Sequence, residues 1–495
     1  MKIKRFLSAA LAAAILLIVP QTSFAAEPQQ IQFQTDVPQF HIDTADGNGA
    51  SLQKSDGYVS AHLQLTDESG TLIDTDISVK VRGNTTALSW VKKKAFNVKF
   101  PTKQELLDMG KGKKWVLLAN TFDSTFVRNF LAFDTAQELG LAYTSKQRIC
   151  ELWLDGNYRG CYTLMEPVQE GKDRVNIDIS KGKDFLLEVE NVLTEKGETY
   201  ITVDKTRYCI NEPEEPDDEE VAYITEVMER VTSTLKTGSE KEIREAIDVP
   251  SFAAYYVLNE YLKTFDFDRT STRFYYQDGK LFAGPPWDYD ISTGNSNPDY
   301  SARAKGTYEP EGLFCNNKII YKNLCSQDWF NAEVQRVYNA HRAWFDNLGA
   351  DGGYTDTFRA TYAEVIDRNY SVAGWDIGKW WINHQLKPKN NYEDNYLFLK
   401  EWLQKRSEWL DLHFDSIVYY LRGDADGNGI IDINDVTFTQ RLLAELETDP
   451  DGMATLRANL HDETLTIDDA TSMQEYLADI PNDCKVGETR HFDKE

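Results

Sequence analysis

The stretch RFYYQDGKLFAGPPWDYD, residues 273–290, carries the pattern on which the fold assignment depends. Two short apolar segments flank an Asp-Gly dipeptide, which is typical of a tight β-hairpin turn. A hairpin returns the chain to its starting point, so Asp266 or Asp268 before it can lie next to Asp288 or Asp290 after it. Paired aspartates near turns are also common as surface decoration. The stretch therefore predicts either a surface acidic cluster or a metal site at one end of a β-ribbon.

The second interpretation matches the needs of phosphoryl transfer. In protein kinases one acid accepts the proton of the substrate hydroxyl, a short hairpin follows, and a second acid holds magnesium. The reaction also needs a cation on the phosphates, and Lys94 is the candidate, because period-two alternation places it on one face with Phe96 and Val98. Since lysine is seldom buried without a partner, its amine either meets a phosphate or carboxylate, or extends to solvent from the strand end.

The N-terminus predicts export. A basic start, an apolar run and small residues before Ala26 are typical of a signal peptide, here residues 1–25. No later run approaches the roughly 20 apolar residues that a membrane span needs. A formal net charge of −27 disfavours nucleic acid as a partner, since phosphates require a basic surface.

The six cysteines lack the spacing of a zinc site. The segment CELWLDGNYRGC predicts a hairpin that places Cys150 opposite Cys161. This geometry leaves a strained disulfide and two free buried thiols as open alternatives.

The body is predicted to be α+β. Residues up to about 205 predict a mainly β region with one helix that begins near Asp123 or Ser124, and helical patterns dominate afterwards. The predicted boundaries are a body at 27–420, a small module at 421–480 and a tail at 481–495.

The small module contains the clearest motif, DADGNGIIDIND. It places oxygen-bearing side chains at positions 1, 3, 5, 9 and 12 of a loop, with Gly429 at the sharp bend, as calcium requires. The predicted ligands are Asp424, Asp426, Asn428, the carbonyl of Ile430, Asp432 and Asp435.

A helix follows the loop, and the segment DATSMQEYLADI repeats it 34 residues later. This duplicated loop-helix unit resembles a dockerin, an all-α module that anchors exported enzymes to cellulosome scaffolds. The resemblance implies that a scaffold cohesin binds the module through Ile433, Asn434, Ile467 and Asp468. The second loop departs from the pattern at Asn459, His461 and Asp462, so its calcium binding stays open.

The body, from about residue 37 to 415, resembles the CotH family of spore-coat atypical protein kinases. The motifs are VRGNTT, KKAFNVKF, LLANTFDSTFVRN, ELGLAYT, ELWLDGNYRGCYTLMEPV, NEYLKTFDFD and AGPPWDYD. The resemblance implies a two-lobed kinase-like fold, ATP and magnesium as cofactors, and phosphate transfer to Ser or Thr of a protein substrate. It also implies that Asp266 is the catalytic residue and that Asp288 and Asp290 bind the metal. Lys94 and Glu166 would then bind the nucleotide.

One position departs from the kinase pattern. Kinases place an Asn five residues after the catalytic Asp, whereas Ser271 stands at that distance from Asp266, and no kinase-type Gly-rich loop is evident. The sequence thus leaves two main hypotheses, a secreted, cellulosome-associated extracellular kinase and a catalytically silent binding component involved in polysaccharide degradation. Sugar stacking by Trp380 and Trp381 would favour the second, although such aromatics are more often core residues. A glycoside hydrolase is the weakest alternative, since no signature demands its pair of acids.

Overall fold

The computed structural model describes residues 33–494 except 90, 194, 196, 374, 376–390, 462 and 463. The predicted signal peptide, Trp380, Trp381 and Asp462 therefore lie outside the described residues. The strands are β1 (Gln39–Thr44), β2 (Val59–Asp67), β3 (Gly70–Arg82), β4 (Ala95–Glu105), β5 (Lys111–Leu118), β6 (Gln147–Leu154), β7 (Asn157–Met165), β8 (Phe185–Val189), β9 (Tyr200–Val203), β10 (Thr206–Glu212), β11 (Arg273–Gln277), β12 (Lys280–Ala283), β13 (Ile417–Leu421) and β14 (Thr489–Asp493). The helices are α1 (Arg128–Glu138), α2 (Asp218–Thr237), α3 (Glu240–Ala246), α4 (Val249–Leu262), α5 (Ala302–Tyr308), α6 (Tyr321–Leu324), α7 (Asp328–Ala340), α8 (Arg342–Gly349), α9 (Tyr354–Thr361), α10 (Ala363–Ser371), α11 (Tyr392–Asp415), α12 (Ile433–Leu443), α13 (Met453–Ala458) and α14 (Ile467–Leu477).

The first seven strands close into a barrel in the order β1-β2-β3-β4-β5-β7-β6. Only one of its pairings, β1 with β6, is parallel. Alternate residues point inward because side chains in a strand alternate between faces. Val79, Val81, Phe96, Val98 and Trp115 thus fill the barrel interior.

A second sheet, ordered β12-β11-β8-β10-β9, lies outside the barrel. The predicted hairpin is confirmed as β11 and β12, whose turn residues Asp278 and Gly279 both have positive φ, as a tight two-residue turn requires. Because β11 also pairs with β8, strands from both sides of residue 205 share one sheet. The fold is therefore mixed α+β with a closed barrel, and residue 205 marks no clean division.

The helical region packs around α4, which is buried on nearly all sides against α1, α7 and α11. Asp248 caps its start by accepting a hydrogen bond from the Ser251 amide at 2.9 Å. Lys263 ends the helix in the left-handed conformation, with φ of 47°. Among the described residues, no helix is long and apolar enough to cross a membrane.

The predicted pairing of Cys150 with Cys161 is wrong. A β-bulge between β6 and β7 shifts the register, so Cys150 lies opposite Tyr162 and Cys161 lies opposite Glu151. A one-residue shift moves a side chain to the other face of the sheet. Cys150 consequently faces the barrel interior and Cys161 faces the helical core, and both thiols are free.

The predicted start of the first helix is also corrected. Asp123 accepts a hydrogen bond from the Arg128 amide at 2.9 Å and pairs with its guanidinium at 2.7 Å. Phe126 between them has φ of 65°, which a helix excludes. The helix therefore begins at Arg128 rather than near Asp123 or Ser124.

The C-terminal module is all-helical, with α12 packed against α14 over a small apolar core that includes Val436, Leu460 and Met473. The segment predicted as a tail forms β14, which pairs antiparallel with β13 just before the module. His491 of β14 also contacts Asp328 of α7 at 2.9 Å. The strand pair thus attaches both ends of the module to the helical region.

Candidate functional site

A cleft of about 600 Å³ lies between the outer face of β3–β5 and the second sheet. Its lining includes Asp266, Asp288 and Asp290, so the structure brings together the three acids that the sequence singled out. The loop after α4 carries Asp266 and the loop after β12 carries Asp288 and Asp290, while β3 to β5 and the strands of the second sheet contribute much of the remaining lining.

The loop after α4 places Asp266 in the cleft. Its carbonyl accepts hydrogen bonds from the Arg269 and Thr270 amides, at 2.9 and 3.1 Å, which fold the loop into a tight turn. The Phe265 amide donates to the Ile291 carbonyl at 2.9 Å. This bond ties the segment carrying Asp266 directly to the segment carrying the other two acids.

The loop after β12 holds Asp288 in an unusual conformation. Its φ is 65°, a left-handed value that a non-glycine residue adopts at some energetic cost. The next amide, of Tyr289, donates to Oδ1 of Asn129 at 2.9 Å, and the Tyr289 hydroxyl donates to Asn259 at 3.0 Å. These bonds to α1 and α4 fix the direction of the Asp288 carboxylate.

Neighbouring carboxylates contribute to the raised pKa values of Asp266 and Asp290. Burial, together with the charge of Asp288, raises the pKa of Asp266 to about 7. Burial, together with the charges of Asp288 and Asp266, raises the pKa of Asp290 well above its usual range. Like charges in a poorly solvated space favour protonation. The cleft therefore concentrates negative charge that a bound cation would relieve.

Two arginines partly offset this charge. Burial raises the pKa of Asp288, and the neighbouring guanidinium groups of Arg82 and Arg273 oppose that rise. Each guanidinium lies 5.2 Å from the ring centre of Trp287, within the range of a cation–π contact. Arg273 also pairs with Glu188 at 2.8 Å. Among the described residues, Arg82 and Arg269 both lie beside the acids without a hydrogen-bonded carboxylate partner, Arg82 next to Asp288 and Arg269 next to Asp266.

Ser271, the residue in place of the kinase Asn, also lies in the cleft. Its side chain hydrogen-bonds Asp288 and opposes the rise in the pKa of that carboxyl. Its amide donates to Glu188 at 3.1 Å. The Ser271 hydroxyl therefore lies beside Asp288. It offers a single hydroxyl oxygen at the position where kinases have the amide group of an Asn.

The structure does not bring Lys94 or Glu166 into the cleft. The Lys94 amine donates to the carbonyls of Ala87 and Leu88, at 3.0 and 2.5 Å, in the connection between β3 and β4. Glu166 accepts a hydrogen bond from the Lys146 amide at 2.8 Å. Among the described residues, neither lines the cleft.

Sequence reasoning missed Arg82. The available signal was strand parity, because Val79 and Val81 point into the barrel and Lys80 and Arg82 must then point outward. Which outward cations face the acids depends on how the second sheet packs, which parity does not predict.

Among the described residues, the cleft offers carboxylate oxygens but not a gathered set of three ligands. Hard cations prefer carboxylate oxygens, and Asp288 and Asp290 supply them next to a third acid, Asp266. Burial is the main cause of the raised pKa values of all three carboxyls. These carboxylates are of the chemical type that holds magnesium, although the oxygens of the three acids do not all lie within 4.8 Å of one another as those of Asp424, Asp426 and Asp435 do.

The family described as CotH kinase protein matches residues 79–410, about two thirds of the chain. The chain belongs to the CotH family. The match runs from the end of β3 through most of α11 and contains every described cleft-lining residue except Lys54. No curated protein matches the chain.

The C-terminal module lies outside the CotH match and carries the predicted calcium loop. Carboxylate oxygens of Asp424, Asp426 and Asp435 all lie within 4.8 Å of one another. Gly429, with φ of 84°, donates its amide to Asp424 at 3.0 Å, which closes the bend. Burial raises the pKa values of both Asp424 and Asp435.

The remaining predicted ligands belong to the same loop. Asn428 accepts a hydrogen bond from the Ile430 amide at 2.8 Å, and Asp432 caps α12 by accepting one from the Asn434 amide at 2.7 Å. Asp435 Oδ2 accepts from the Asp432 amide at 2.8 Å, so the last ligand of the loop is already oriented.

The duplication is visible in the structure. Helices α12 and α14 have equal length, and each begins with a capping box, at Asp432 and Thr466. Ile433 and Ile467 occupy equivalent first positions and are 60% and 56% exposed, an uncommon state for isoleucine. Asn434 and Asp468 follow them and are exposed as well. Among the described residues, only the first loop gathers three acidic oxygens.

Proposed function

We propose that this protein is an active CotH-type kinase that transfers the γ-phosphate of ATP to Ser or Thr of a protein. The observation that carries the proposal is the convergence of Asp266, Asp288 and Asp290 on one cleft beside Arg82. Phosphoryl transfer needs little beyond an oriented hydroxyl, a cation clamp and positive charge on the phosphates. The barrel and the helical region would act as the two lobes on either side of that cleft.

Asp266 is the proposed base. Its carboxylate accepts the proton of the acceptor hydroxyl as the hydroxyl oxygen bonds to the γ-phosphorus and the bond from that phosphorus to the bridging oxygen of ADP breaks. A pKa of about 7 suits this task, since the group then accepts protons near neutral pH.

Asp288 and Asp290 are the proposed magnesium ligands, and the ion would supply charge neutralisation at the phosphate oxygens. Arg82 takes the role that the sequence assigned to Lys94, because its guanidinium lies beside Asp288. A planar guanidinium can donate two hydrogen bonds to one phosphate. The bond between Asn129 and the Tyr289 amide keeps the acidic loop in place.

The test is incubation of the full chain with magnesium and γ-labelled ATP. We expect label on the protein or on an added acceptor protein, and none with Asp288→Ala. Asp278→Asn is the matched control, because Asp278 belongs to the same hairpin but lies at its exposed turn. Equal labelling of wild type and Asp288→Ala would contradict the proposal.

The second candidate is a catalytically silent member of the family. It is favoured by Ser271, which offers a hydroxyl where kinases use an amide oxygen for a second metal. Ser271→Asn separates the two candidates. If only this variant transfers label, the natural chain is silent, whereas equal or higher wild-type transfer supports the kinase.

We also propose that the module at 421–480 is a calcium-binding dockerin and that the protein is exported and docked on a cellulosomal scaffold. The trio of acidic oxygens at the first loop supports calcium binding. The exposed pair Ile433 and Ile467, with Asn434 and Asp468, supplies an apolar surface with a polar rim suited to a protein partner.

Docking is tested by mixing the full chain with scaffold cohesins in calcium and then in chelator. We expect a complex in calcium alone. An Ile433→Asp, Ile467→Asp double variant that still binds cohesin would contradict the assigned surface.

A further inference from the structure

One segment of this acidic chain is strongly basic. Residues 80–114 contain ten lysines and arginines against two acids, whereas the whole chain has a net charge of −27. The segment runs from the end of β3 through β4 to β5 and includes one wall of the cleft. This local reversal of sign calls for a physical role.

Strand register places several of these cations on one outward face of the barrel. Ser78 of β3 pairs with Lys99 of β4, which in turn pairs with Lys114 of β5. Lys80 lies two residues along β3 from Ser78 and therefore points the same way. Tyr58 lies between the lysines, with its ring centre 6.0 Å from the Lys80 amine and 5.4 Å from that of Lys99.

This face joins two cavities. Lys80 and Arg82 line the cleft that holds the acids. Tyr58 and Lys99 line a second open cavity of about 770 Å³, which Lys113 also lines from the strand face that carries Trp115 and which contains Asp43 and Asp76 as well. Cations thus line both cavities, with Lys80 and Lys99 on the shared outward face of β3 and β4. We call this set of cations, made of Arg82, Lys80, Lys99 and Lys113, the basic track.

Three lysines of the basic track lack an acidic partner among the described residues. Within the described residues, Lys80, Lys99 and Lys113 form no ion pair. Their neighbour Lys114 pairs with Glu214 from the acidic segment before α2. The protein's own acidic chain therefore already occupies one edge of this face, which shows that the face accepts carboxylates.

We propose that the basic track binds an extended acidic segment of the acceptor protein and so selects acceptors with Glu or Asp near the phosphorylated residue. The inference rests on the proposed kinase function, because it takes the three-acid cluster as the point of transfer. The distance along β3 from Arg82 to Ser78, the residue opposite Lys99, is four strand residues, or about 13 Å. An extended peptide covers that length in about four residues, so the selected acids lie about four to six residues from the acceptor hydroxyl.

The test uses two labelled peptides with one serine each, one with three glutamates four to six residues away and one with glutamines there. Binding to the full chain is followed by fluorescence anisotropy, and phosphorylation is followed with magnesium and ATP. We expect the glutamate peptide alone to bind, less tightly as salt rises, and to be phosphorylated with the lower KM.

Lys99→Gln should weaken binding of the glutamate peptide about threefold, and Lys99→Gln with Lys113→Gln about tenfold, as expected for exposed charge pairs. The KM for ATP should not change. Lys103→Gln is the control, since Lys103 lies on the same strand, is exposed and lines neither cavity. Lys99→Glu should reverse the preference towards a lysine peptide, which a merely destabilised variant would not do.

The outcomes separate the two proposals. If the glutamate peptide binds at the track but is not phosphorylated, the track stands and the kinase function fails. If both peptides are phosphorylated with equal KM, the kinase stands and the track is overturned. A change in the KM for ATP in Lys99→Gln would assign the track to nucleotide phosphates. Tighter binding of polygalacturonate than of the peptide would assign it to an acidic polysaccharide, and either result overturns the inference.

Discussion

Asp266 and Asp288 line the same cleft, and burial of Asp266 together with the charge of Asp288 raises the pKa of Asp266 to about 7. Two carboxylates in a poorly solvated space destabilise the folded protein when both are ionised. In the proposed kinase, the same arrangement would attract a divalent cation and supply a base that titrates near neutral pH. The predictions below follow from this relationship and from the structure around it.

The pH dependence of stability tests the raised pKa of Asp266. In the folded state Asp266 holds its proton up to about pH 7, whereas in the unfolded chain it releases the proton near its ordinary pKa of 3.8. The stability contribution is thus present below the unfolded pKa and is lost as the pH rises towards 7. In metal-free protein above pH 7, Asp266→Asn should be more stable than wild type by about 2 kcal/mol. Denaturant unfolding at pH 5 and pH 8 measures this difference, and an equal difference at both values would contradict it.

Magnesium binding should release protons. Binding to Asp288 and Asp290 requires ionised carboxylates, whose pKa values burial raises in the metal-free protein. Calorimetric titration at pH 7 in buffers of different ionisation enthalpy should detect release of about one proton per ion. Asp290→Asn should weaken magnesium binding at least tenfold, whereas Asp278→Asn should leave it unchanged. Titration without proton release would contradict the raised pKa values.

Arg82 and Lys94 should differ in what they affect. Arg82→Gln should raise the KM for ATP about tenfold or more, because a charged hydrogen bond contributes about 1.5–3 kcal/mol. Lys94→Gln should lower the melting temperature, since the buried amine satisfies the carbonyls of Ala87 and Leu88, and should leave the KM nearly unchanged. A raised KM for ATP in Lys94→Gln, with an unchanged KM in Arg82→Gln, would show that Lys94 rather than Arg82 binds the phosphates.

Calcium should bind tightly at one loop of the full chain. Asp435→Asn removes one of the three clustered carboxylates and should abolish tight binding, whereas Asp468→Asn, an exposed change in the second copy, should not. Calorimetry should give one tight site. Two sites of equal affinity would show that the second loop also binds calcium despite its different residues.

Much of the local structure could be predicted from the sequence. The Asp-Gly turn predicted β11 and β12, and the repeat spacing predicted the two equivalent helices that start at Ile433 and Ile467. These features depend on neighbouring residues only, so a short window of sequence contains them. The gathering of Asp266, Asp288 and Asp290 followed from one hairpin.

The failures were of a different kind. A bulge in β7 places Cys150 and Cys161 on opposite faces of the sheet. The first helix begins at Arg128, after the segment that the ion pair between Asp123 and Arg128 closes. Arg82 reaches the acids only because the second sheet packs against the outer face of β3. Each depends on contacts between distant parts of the chain, which propensity and periodicity do not report.

Asp266 is the proposed base of a phosphate-transfer site, and Asp288 and Asp290 are the proposed ligands of its magnesium ion. The most direct measurement compares Asp266→Asn with wild type for both magnesium-dependent ATP binding and transfer of labelled phosphate. We predict that the variant still binds ATP, because Arg82, Asp288 and Asp290 remain, and that transfer falls at least a hundredfold. Transfer by the variant at the wild-type rate, or no ATP binding by either protein, would contradict the account.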